Sequence, residues 1–319
     1  MKITVIGCGR WGSFIAYYLD KIGHDVTIYG LADAPEMKRF LAERRNDLLT
    51  LSDTTKLSTD KSVIADAETV IISIGSQGLR SLMGELAPLG LKNKKFVLCM
   101  KGIEISSGAR LSEIVKEYAD PSCRVAVWLG PGHVQEFCRG VPNCMVIDSD
   151  DDELKISLVK EFSSELIRFY YGTDLIGSEI GGAAKNVLGI AAGLLDGFGM
   201  TTLKGALMSR GTREIARLMK AMGGNELSAY GLCLLGDYEA TLFSKHSHNR
   251  AFGEAFAKGE SFTALAEGYY TVKALMVLKE KYSVDLPIST AVYKILYENA
   301  DPKEEIRSLF SRSLKWELE

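Results

Sequence analysis

Lys185 and Asn186 have the residue types and the setting that most favour chemistry in this 319-residue chain. They close the run EIGGAAKN at residues 179–186, in which glycine and alanine leave room for a ligand or another backbone to come close. A lysine in such apolar surroundings is partly desolvated, which lowers its pKa and prepares it for proton transfer. A close helix–helix contact from which the lysine reaches solvent explains the same run, so both interpretations stay open at this point.

A second polar cluster occupies residues 236–250. Asp237 lies in the stretch GDYEAT, and Ser247 begins the stretch SHNR. Ser247 would cap a helix that continues through Ala257, and the N-terminus of a helix binds phosphate well. A polar loop with a capping serine is the alternative that needs no ligand.

The first half of the chain carries the glycine pattern G-x-G-x-x-G at residues 7–12, between a β-rich run and a helical pattern. In this context Gly7 permits a tight turn, Gly9 lets the backbone approach a pyrophosphate, and Gly12 lets the helix pack close to the strand. The pattern therefore predicts a dinucleotide site at a helix N-terminus. A glycine-rich turn without a ligand is the alternative.

Lys101 and Gly130 each follow a predicted strand, the first over residues 95–100 and the second over residues 125–129. In a doubly wound sheet the carboxyl ends of the strands line the ligand crevice. This expectation places Lys101 beside the cofactor. A solvated lysine at a strand end is the alternative.

The periodicity of the chain changes near residue 175 and predicts two domains. Before that point, short β-branched runs alternate with helical patterns, which is typical of a parallel, doubly wound sheet of the Rossmann type. After it, long helical patterns leave hardly any convincing strand. We therefore predict an α/β dinucleotide-binding domain over residues 1–175 and an all-α, substrate-binding domain over residues 176–319. The predicted strands are residues 2–6, 25–29, 69–74, 95–100, 125–129, 144–147 and 168–171.

Composition excludes several classes of function. The net charge is −3 and no basic run occurs, so we expect no nucleic-acid partner. Six cysteines occur without a C-x-x-C pair, which indicates free thiols in a reducing compartment and no metal site. No apolar stretch is long enough to span a membrane, and glycines interrupt the N-terminal apolar run where a secretory signal would continue. We expect a cytoplasmic protein in which the isolated His24, His133 and His246 are structural.

Taken in order, these segments resemble the NAD(P)-dependent glycerol-3-phosphate dehydrogenase family. The resemblance covers nearly the whole chain, and the ordered set is far more specific than a single glycine motif. The matching segments are GCGRWG at 7–12, KG at 101–102, GP at 130–131 with Glu136 downstream, GGAAKN at 181–186, GD at 236–237, Ser247 with Asn249 and Arg250, AEG at 266–268 and LPI at 286–288.

The resemblance implies reversible hydride transfer between nicotinamide C4 and C2 of dihydroxyacetone phosphate, which gives sn-glycerol 3-phosphate, a glycerophospholipid precursor. Lys185 would protonate the C2 oxygen during reduction and act as the base in reverse, and the charge of Lys101 would help lower the pKa of Lys185. The implied substrate-binding residues are Lys101, Gly130, Lys185, Asp237, Ser247, His248 and Asn249. The implied cofactor-binding residues are Gly7, Gly9, Arg10, Trp11, Gly12, Lys101, Val134, His248, Leu265 and Glu267.

The chain departs from the family pattern at four positions. His248 stands where the family has an arginine, Gly132 where it has serine or threonine, and Gly75 where proline is common. Leu31, after the second strand, replaces a common arginine, while the nearest acid, Asp33, comes a few residues late for the ribose diol. The cofactor is therefore expected to be NAD(H) or NADP(H), with a small preference for NAD(H).

Two other functions remain open on the sequence. One is a related dehydrogenase that acts on another small hydroxy or keto acid, and the other is a dinucleotide sensor without catalysis, because a fold alone does not establish a function. Retention of both Lys185 and Asp237 argues against the sensor. The broad apolar helical domain would suit a homodimer.

Overall fold

The structure is a computed structural model that describes residues 1–314, 316 and 317. Its contacts divide the chain into two compact units. The first unit contains residues 1–100 and 111–175, and the second contains residues 101–110 together with those from 176 onward. The sequence places residues 101–110 in the first domain, whereas their contacts lie within the second unit.

Within the described residues, eight strands of the first unit form one sheet in the order β3-β2-β1-β4-β5-β6-β7-β8. Their bounds are β1 Lys2–Ile6, β2 Asp25–Tyr29, β3 Lys56–Ser58, β4 Thr69–Ile72, β5 Lys95–Leu98, β6 Arg124–Leu129, β7 Asn143–Asp148 and β8 Ile167–Tyr171. The doubly wound α/β sheet predicted from the sequence is confirmed. The three-residue edge strand β3 is absent from the prediction, since so short a run has no readable alternation.

The prediction that the sheet is parallel is wrong for one pair of strands. β6 and β7 are antiparallel, with Trp128 opposite Ile147, whereas the other pairs of neighbouring strands are parallel. The helix between them, Val134–Cys138, has five residues. Such a helix is only about 8 Å long, which is too short to carry the chain back along the sheet for a parallel return.

Helices of the first unit follow most of its strands. They are α1 Arg10–Lys21, α2 Pro35–Glu43, α3 Ser62–Asp66, α4 Leu79–Leu86, α5 Leu111–Tyr118, α6 Val134–Cys138 and α7 Asp152–Phe162. α7 begins as its acidic first turn predicts, with the Asp151 carboxylate accepting a hydrogen bond from the Leu154 N–H. Trp128 of β6 is fully buried in the core of this unit and packs edge-on against Phe169 of β8.

The second unit is helical. Its helices are α8 Leu175–Gly197, α9 Lys204–Ala221, α10 His248–Lys258, α11 Glu267–Tyr282, α12 Pro287–Tyr297 and α13 Pro302–Phe310. α8 is buried on all sides from Gly177 to Leu195, as expected for a helix that is apolar all round. A charged side chain on this part of α8 must therefore find its partners inside the protein.

Glycines bring α10 directly against the backbone of α8. A Cβ added at Gly193 of α8 would lie 2.0 Å from the carbonyl oxygen of Arg250, and one added at Gly253 of α10 would lie 2.2 Å from that of Ile190. No side chain fits at either place, so these positions require glycine. The close contact holds the first turn of α10 beside the middle of α8.

The segment of residues 101–110 is anchored in the second unit at both ends. Ile103 is fully buried in the core of that unit and forms a β-bridge with Arg110. The Arg110 guanidinium lies 2.6 Å from the carboxylate of Glu179 on α8, and both side chains are largely buried. These contacts explain why the segment departs from the domain division predicted from the sequence.

Three negative findings apply to the residues that the structure describes. All six cysteines are free thiols, as the sequence predicts. No cluster of histidine, cysteine, aspartate or glutamate side chains suits a metal ion within the described part of the chain. Among those same residues, every helix is too short or too polar to cross a bilayer.

Candidate active site

Lys185 lies in the buried middle of α8, and its ammonium group is held inside the second unit. The residue is 6% exposed. Its Nζ lies 2.6 Å from Oδ2 of Asp237 and donates to Oγ1 of Thr241 at 2.7 Å. The lysine does not reach solvent. The small residues of the run also make a close contact, because a Cβ at Gly181 would lie 3.1 Å from the Leu234 side chain.

Lys101 shares the carboxylate that holds Lys185. Its Nζ donates to the same Oδ2 of Asp237 at 2.7 Å, so two ammonium groups meet one carboxylate oxygen. Burial lowers the pKa of Lys185 from 10.5 to about 7, with the Asp237 charge opposing this shift and the Lys101 charge adding to it. An amine with such a pKa can release and regain a proton near neutral pH.

Asp237 has one oxygen in use and one unsatisfied. The residue is 1% exposed, and Oδ1 has no hydrogen-bond partner among the residues that the structure describes. A buried acceptor without a donor costs about 1–3 kcal/mol. Such an atom in a pocket with two lysines suits a ligand that brings a hydroxyl or another donor.

Thr241 belongs to a single turn of π-helix, Glu239–Phe243, which follows the short 3₁₀ turn that ends at Asp237. Turns of this type are rare and are found frequently at functional sites. Thr241 lies in the polar run GDYEAT at residues 236–241, and the sequence alone gives it no role. Its position four residues after Asp237 is the only signal, and without the π-turn that spacing does not identify a contact with Lys185.

Amide side chains connect the lysine pocket to three further parts of the second unit. Asn186 Nδ2 donates to the carbonyl of Lys101 at 3.1 Å, and Asn249 Nδ2 donates to Oδ1 of Asn186 at 3.0 Å. Oδ1 of Asn249 in turn accepts from the Gly268 N–H at 2.8 Å. This relay joins the 101–110 segment, α8, α10 and the start of α11, and it orients the backbone that carries Lys101. The sequence places Asn186 in a motif without showing this function.

The first turn of α10 carries the other predicted substrate-binding residues. Ser247 is the N-cap, and its hydroxyl accepts from the Arg250 N–H at 3.3 Å, which is the capping role that the sequence predicts. His248 Nδ1 lies 3.2 Å from the carbonyl oxygen of Leu265, so this ring nitrogen donates. Glu267, two residues further along, begins α11.

In the first unit, the three motif glycines have the distinct surroundings that a dinucleotide site requires. Gly7 has φ +107°, and a Cβ there would lie 2.2 Å from the carbonyl oxygen of Ser73. A Cβ at Gly12 would lie 2.2 Å from the Gly7 carbonyl oxygen, whereas a Cβ at Gly9 would have no described residue within 4 Å apart from Gly9 itself and its two chain neighbours. Gly9 is the N-cap of α1 and has no side-chain cap. The open space at a helix N-terminus fits a pyrophosphate.

The other predicted cofactor-binding residues of this unit lie at helix starts. Arg10 is exposed and begins α1, and Trp11 packs against Phe14 and Phe137 with ring centroids 5.5 and 6.2 Å apart. Val134 begins α6 and is buried. At the tip of β2, the side chain of Leu31 is 59% exposed.

Two glycines follow β6, and both have positive φ. Gly130 has φ +122°, and a Cβ there would lie 3.1 Å from the backbone of Met145. Gly132 has φ +141°, and its Cβ would collide with the ring of Phe137 at 2.4 Å. The glycine at 132, where the family has serine or threonine, therefore matches the aromatic side chain that occupies the space.

Comparisons with known proteins agree over the whole length. The family model described as NAD-dependent glycerol-3-phosphate dehydrogenase N-terminus matches residues 2–155, and the corresponding C-terminus model matches residues 174–307. A protein of Prosthecochloris aestuarii named glycerol-3-phosphate dehydrogenase [NAD(P)+] is 36% identical, with 100% of each chain covered. One of the same name from Chlorobium phaeobacteroides is 35% identical, covering 100% of this chain and 99% of the relative.

A solved structure agrees with the sequence relatives. The crystal structure of glycerol-3-phosphate dehydrogenase from Coxiella burnetii superposes with a TM-score of 0.91 at 26% identity and covers 97% of this chain and 98% of that one. The resemblance inferred from the motifs is thereby confirmed. With both family models matched and relatives above 30% identity over full length, this chain belongs to the NAD-dependent glycerol-3-phosphate dehydrogenase family.

Proposed function

We propose that this protein catalyses the reversible NAD(P)H-dependent reduction of dihydroxyacetone phosphate to sn-glycerol 3-phosphate. The observation that carries the proposal is the buried Lys185, whose pKa is lowered to about 7 and whose Nζ lies between Asp237 and Thr241. The family and the names of its full-length relatives support this reaction over other reductions of small ketones.

Lys185 acts as the general acid during reduction. Its ammonium form gives a proton to the C2 oxygen as that oxygen gains charge, and the resulting amine is the base in the reverse direction. A pKa near the working pH suits a group that must serve both directions, because each form is then well populated. The hydride that reduces C2 is supplied by bound NAD(P)H.

Asp237 and Lys101 complete the environment of the reacting ketone. Oδ1 of Asp237, which is buried and without a partner among the described residues, accepts a hydrogen bond from the substrate hydroxyl. Lys101 contacts the substrate and the cofactor, and its charge stabilises the developing negative charge on the C2 oxygen. The amide relay through Asn186 keeps the Lys101 backbone in place.

The substrate phosphate binds at the first turn of α10. That turn offers the backbone N–H groups of a helix N-terminus together with Ser247, His248 and Asn249. The resemblance also implies Gly130 as a substrate-binding residue. The phosphate site is the part of the proposal in which this chain departs most from its family, because His248 replaces an arginine.

The dinucleotide binds to the first unit, residues 1–100 and 111–175, with its pyrophosphate at Gly9 and the α1 N-terminus. Arg10, Trp11 and Val134 contact it there. The resemblance further implies Lys101, His248, Leu265 and Glu267 as cofactor-binding residues. We propose a cytoplasmic homodimer that uses NAD(H) or NADP(H) and supplies a glycerophospholipid precursor.

A substrate panel tests the proposal with the purified full-length protein. Oxidation of NADH and of NADPH is followed with dihydroxyacetone phosphate, ketopantoate and other small keto acids, and the product is identified by mass spectrometry. We expect kcat/KM for dihydroxyacetone phosphate to exceed that for every keto acid. A higher kcat/KM for a keto acid would identify that keto acid as the substrate instead. Binding of NADH without any turnover would favour a dinucleotide sensor.

A further inference from the structure

The second unit contains another buried lysine that the proposed mechanism does not use. Lys204, the first residue of α9, is 5% exposed. Its Nζ lies 2.5 Å from the carboxylate of Asp196 on α8 and donates to the carbonyl oxygen of Leu242 at 3.0 Å. The ammonium also lies 5.1 Å from the centre of the Phe243 ring.

Two carbonyl groups of the π-turn are hydrogen-bonded in different ways, one by a backbone N–H of the chain next to it and the other by the Lys204 ammonium. The turn closes on itself through the Ser244 N–H, which donates to the carbonyl of Glu239 at 3.1 Å. The carbonyl of Leu242 lies in the last part of the turn, where helical segments leave carbonyl groups without intrahelical donors. A buried cation at that end donates to the carbonyl and interacts favourably with the local dipole.

Thr241 is the residue directly before Leu242, and its hydroxyl accepts from Lys185. On its other side Thr241 has little freedom, because a Cβ added at Gly189 of α8 would lie 2.8 Å from its methyl group. The backbone of α8 thus bounds Thr241 on one side, while Lys204 holds the adjacent carbonyl on the other.

We propose that Lys204 is a positioning residue that holds the Glu239–Phe243 turn so that Oγ1 of Thr241 meets Nζ of Lys185. Lys204 touches neither reacting atom, and it acts through the Leu242 carbonyl and Thr241. Asp196 orients it and is itself shared, since Arg250 Nε lies 3.1 Å from the same carboxylate oxygen. The proposal rests on the proposed function, because it assigns Lys204 to the proton-transfer step of Lys185.

A double-mutant cycle separates positioning from general stabilisation. Lys204→Met removes the cation but keeps the length of the side chain, and Thr241→Val removes the acceptor but keeps its shape. We expect each to lower kcat for dihydroxyacetone phosphate about tenfold with KM changed less than about twofold. The double variant should be no worse than about twofold below Thr241→Val, since the contact is already lost. Lys204→Arg, which keeps the charge and the donors, should recover most of the loss.

The control is Lys155→Met. Lys155 in the first unit is also buried, with its Nζ 2.8 Å from the Asp152 carboxylate and 3.3 Å from the carbonyl of Ser149. It should cost stability without changing kcat. If Lys204→Met does not fold, Asp196→Asn weakens the ion pair that orients Lys204, with a smaller change of volume, and takes its place in the cycle.

A titration independent of turnover distinguishes failure of this proposal from failure of the proposed function. The Cε signal of Lys185 in a ¹³C-lysine-labelled sample, assigned by its loss in Lys185→Met, reports the protonation of Nζ in every variant. Asp237 and Lys101 are the charged groups that face Lys185 and are unchanged, so loss of the Thr241 acceptor should move the midpoint to lower pH. An unmoved midpoint, or losses in kcat that multiply in the double variant, would overturn the positioning role. A wild-type protein inactive on dihydroxyacetone phosphate would overturn only the function.

Discussion

The glycine turn of the first unit and the lysine pocket of the second are built in opposite ways. The turn uses six consecutive residues, and its geometry depends on the backbone, on the sign of φ at Gly7 and on the space above Gly9. The pocket joins Lys101, Lys185, Asp237 and Thr241 from three separate parts of the chain. A contiguous backbone site is legible from local sequence, whereas a pocket of side chains exists only after burial.

The same contrast applies to the energetics of the two sites. In the turn, steric exclusion determines which residues fit, because a Cβ at Gly7 or Gly12 has no room. In the pocket, desolvation determines the chemistry, because burial is the largest cause of the lowered pKa of Lys185. Substitutions should therefore affect folding in the turn and proton transfer in the pocket.

The largest effect is expected in the pocket. Lys185→Ala should lower kcat by roughly 10²-fold or more because the general acid is lost, while NADH affinity stays nearly unchanged. Steady-state kinetics and a fluorescence titration with NADH measure the two quantities. Turnover near the wild-type rate in a correctly folded variant would remove Lys185 from the mechanism.

Substitution of two glycines in the turn should have different effects on stability and on NADH binding. Gly12→Ala forces a Cβ to within 2.2 Å of the Gly7 carbonyl oxygen and should destabilise the protein by about 1–3 kcal/mol. Gly9→Ala adds its methyl group to open space, so it should leave the melting temperature unchanged and weaken NADH binding. Calorimetry and NADH titration on the matched pair test this, and equal effects of both variants on stability would contradict it.

The pKa of Lys185 should determine how the rates of reduction and of oxidation depend on pH. Lys185 must be protonated to reduce the ketone, so kcat/KM for reduction should fall up to about tenfold per pH unit above about pH 7. Oxidation of glycerol 3-phosphate needs the amine and should fall below the same pH. The reduction profile above pH 7 avoids the second ionisation of the substrate phosphate, at about pH 6, whereas the oxidation profile below pH 7 overlaps it. Two profiles that move in the same direction would rule out one shared proton-transfer group.

The proposed phosphate site at α10 carries His248 where the family pattern has an arginine. Arginine is charged at every working pH and binds phosphate in a bidentate manner, whereas histidine loses its charge as the pH rises. His248→Arg should lower the KM for dihydroxyacetone phosphate above neutral pH, by roughly 1–2 kcal/mol in binding. Identical KM profiles for variant and wild type would mean that the helix N-terminus or Arg250 already holds the phosphate.

The smallest effect is expected for the difference in kcat/KM between NADH and NADPH. Leu31 at the tip of β2 offers no positive charge to a 2′-phosphate, so kcat/KM should be modestly higher for NADH than for NADPH. Leu31→Arg changes an exposed side chain and should shift the ratio toward NADPH without affecting stability. A clear preference of the wild type for NADPH would show that Arg10 or Lys38 binds the 2′-phosphate instead.

Much of the fold was predictable from local pattern. The strand beginning at Asp25 and the N-cap Ser247 lie where the sequence predicts them, because alternation and capping are properties of a few adjacent residues. The three-residue β3 and the reversed direction of β7 were not predictable in the same way. Both depend on which neighbour a strand meets, and that choice is made by the assembled sheet.

The candidate site divides along the same line. The sequence identified Lys101, Lys185 and Asp237 through motifs, but not that two lysines share one carboxylate oxygen. It did not identify Thr241 as a partner of Lys185, nor the amide relay through Asn186 and Asn249. These contacts join residues far apart in the chain, and no periodicity records them.

The amino-acid sequence alone predicts a change of periodicity near residue 175, the glycine turn and the residue types available for proton transfer. These depend on backbone sterics, on hydrophobic periodicity and on composition, which act over short stretches of chain. The folded chain shows in addition that the 101–110 segment lies with the second unit and that Lys185 is buried against Asp237. Local sequence does not reveal this, because the pKa of Lys185 is lowered by desolvation, which requires helices from distant parts of the chain to exclude water around it.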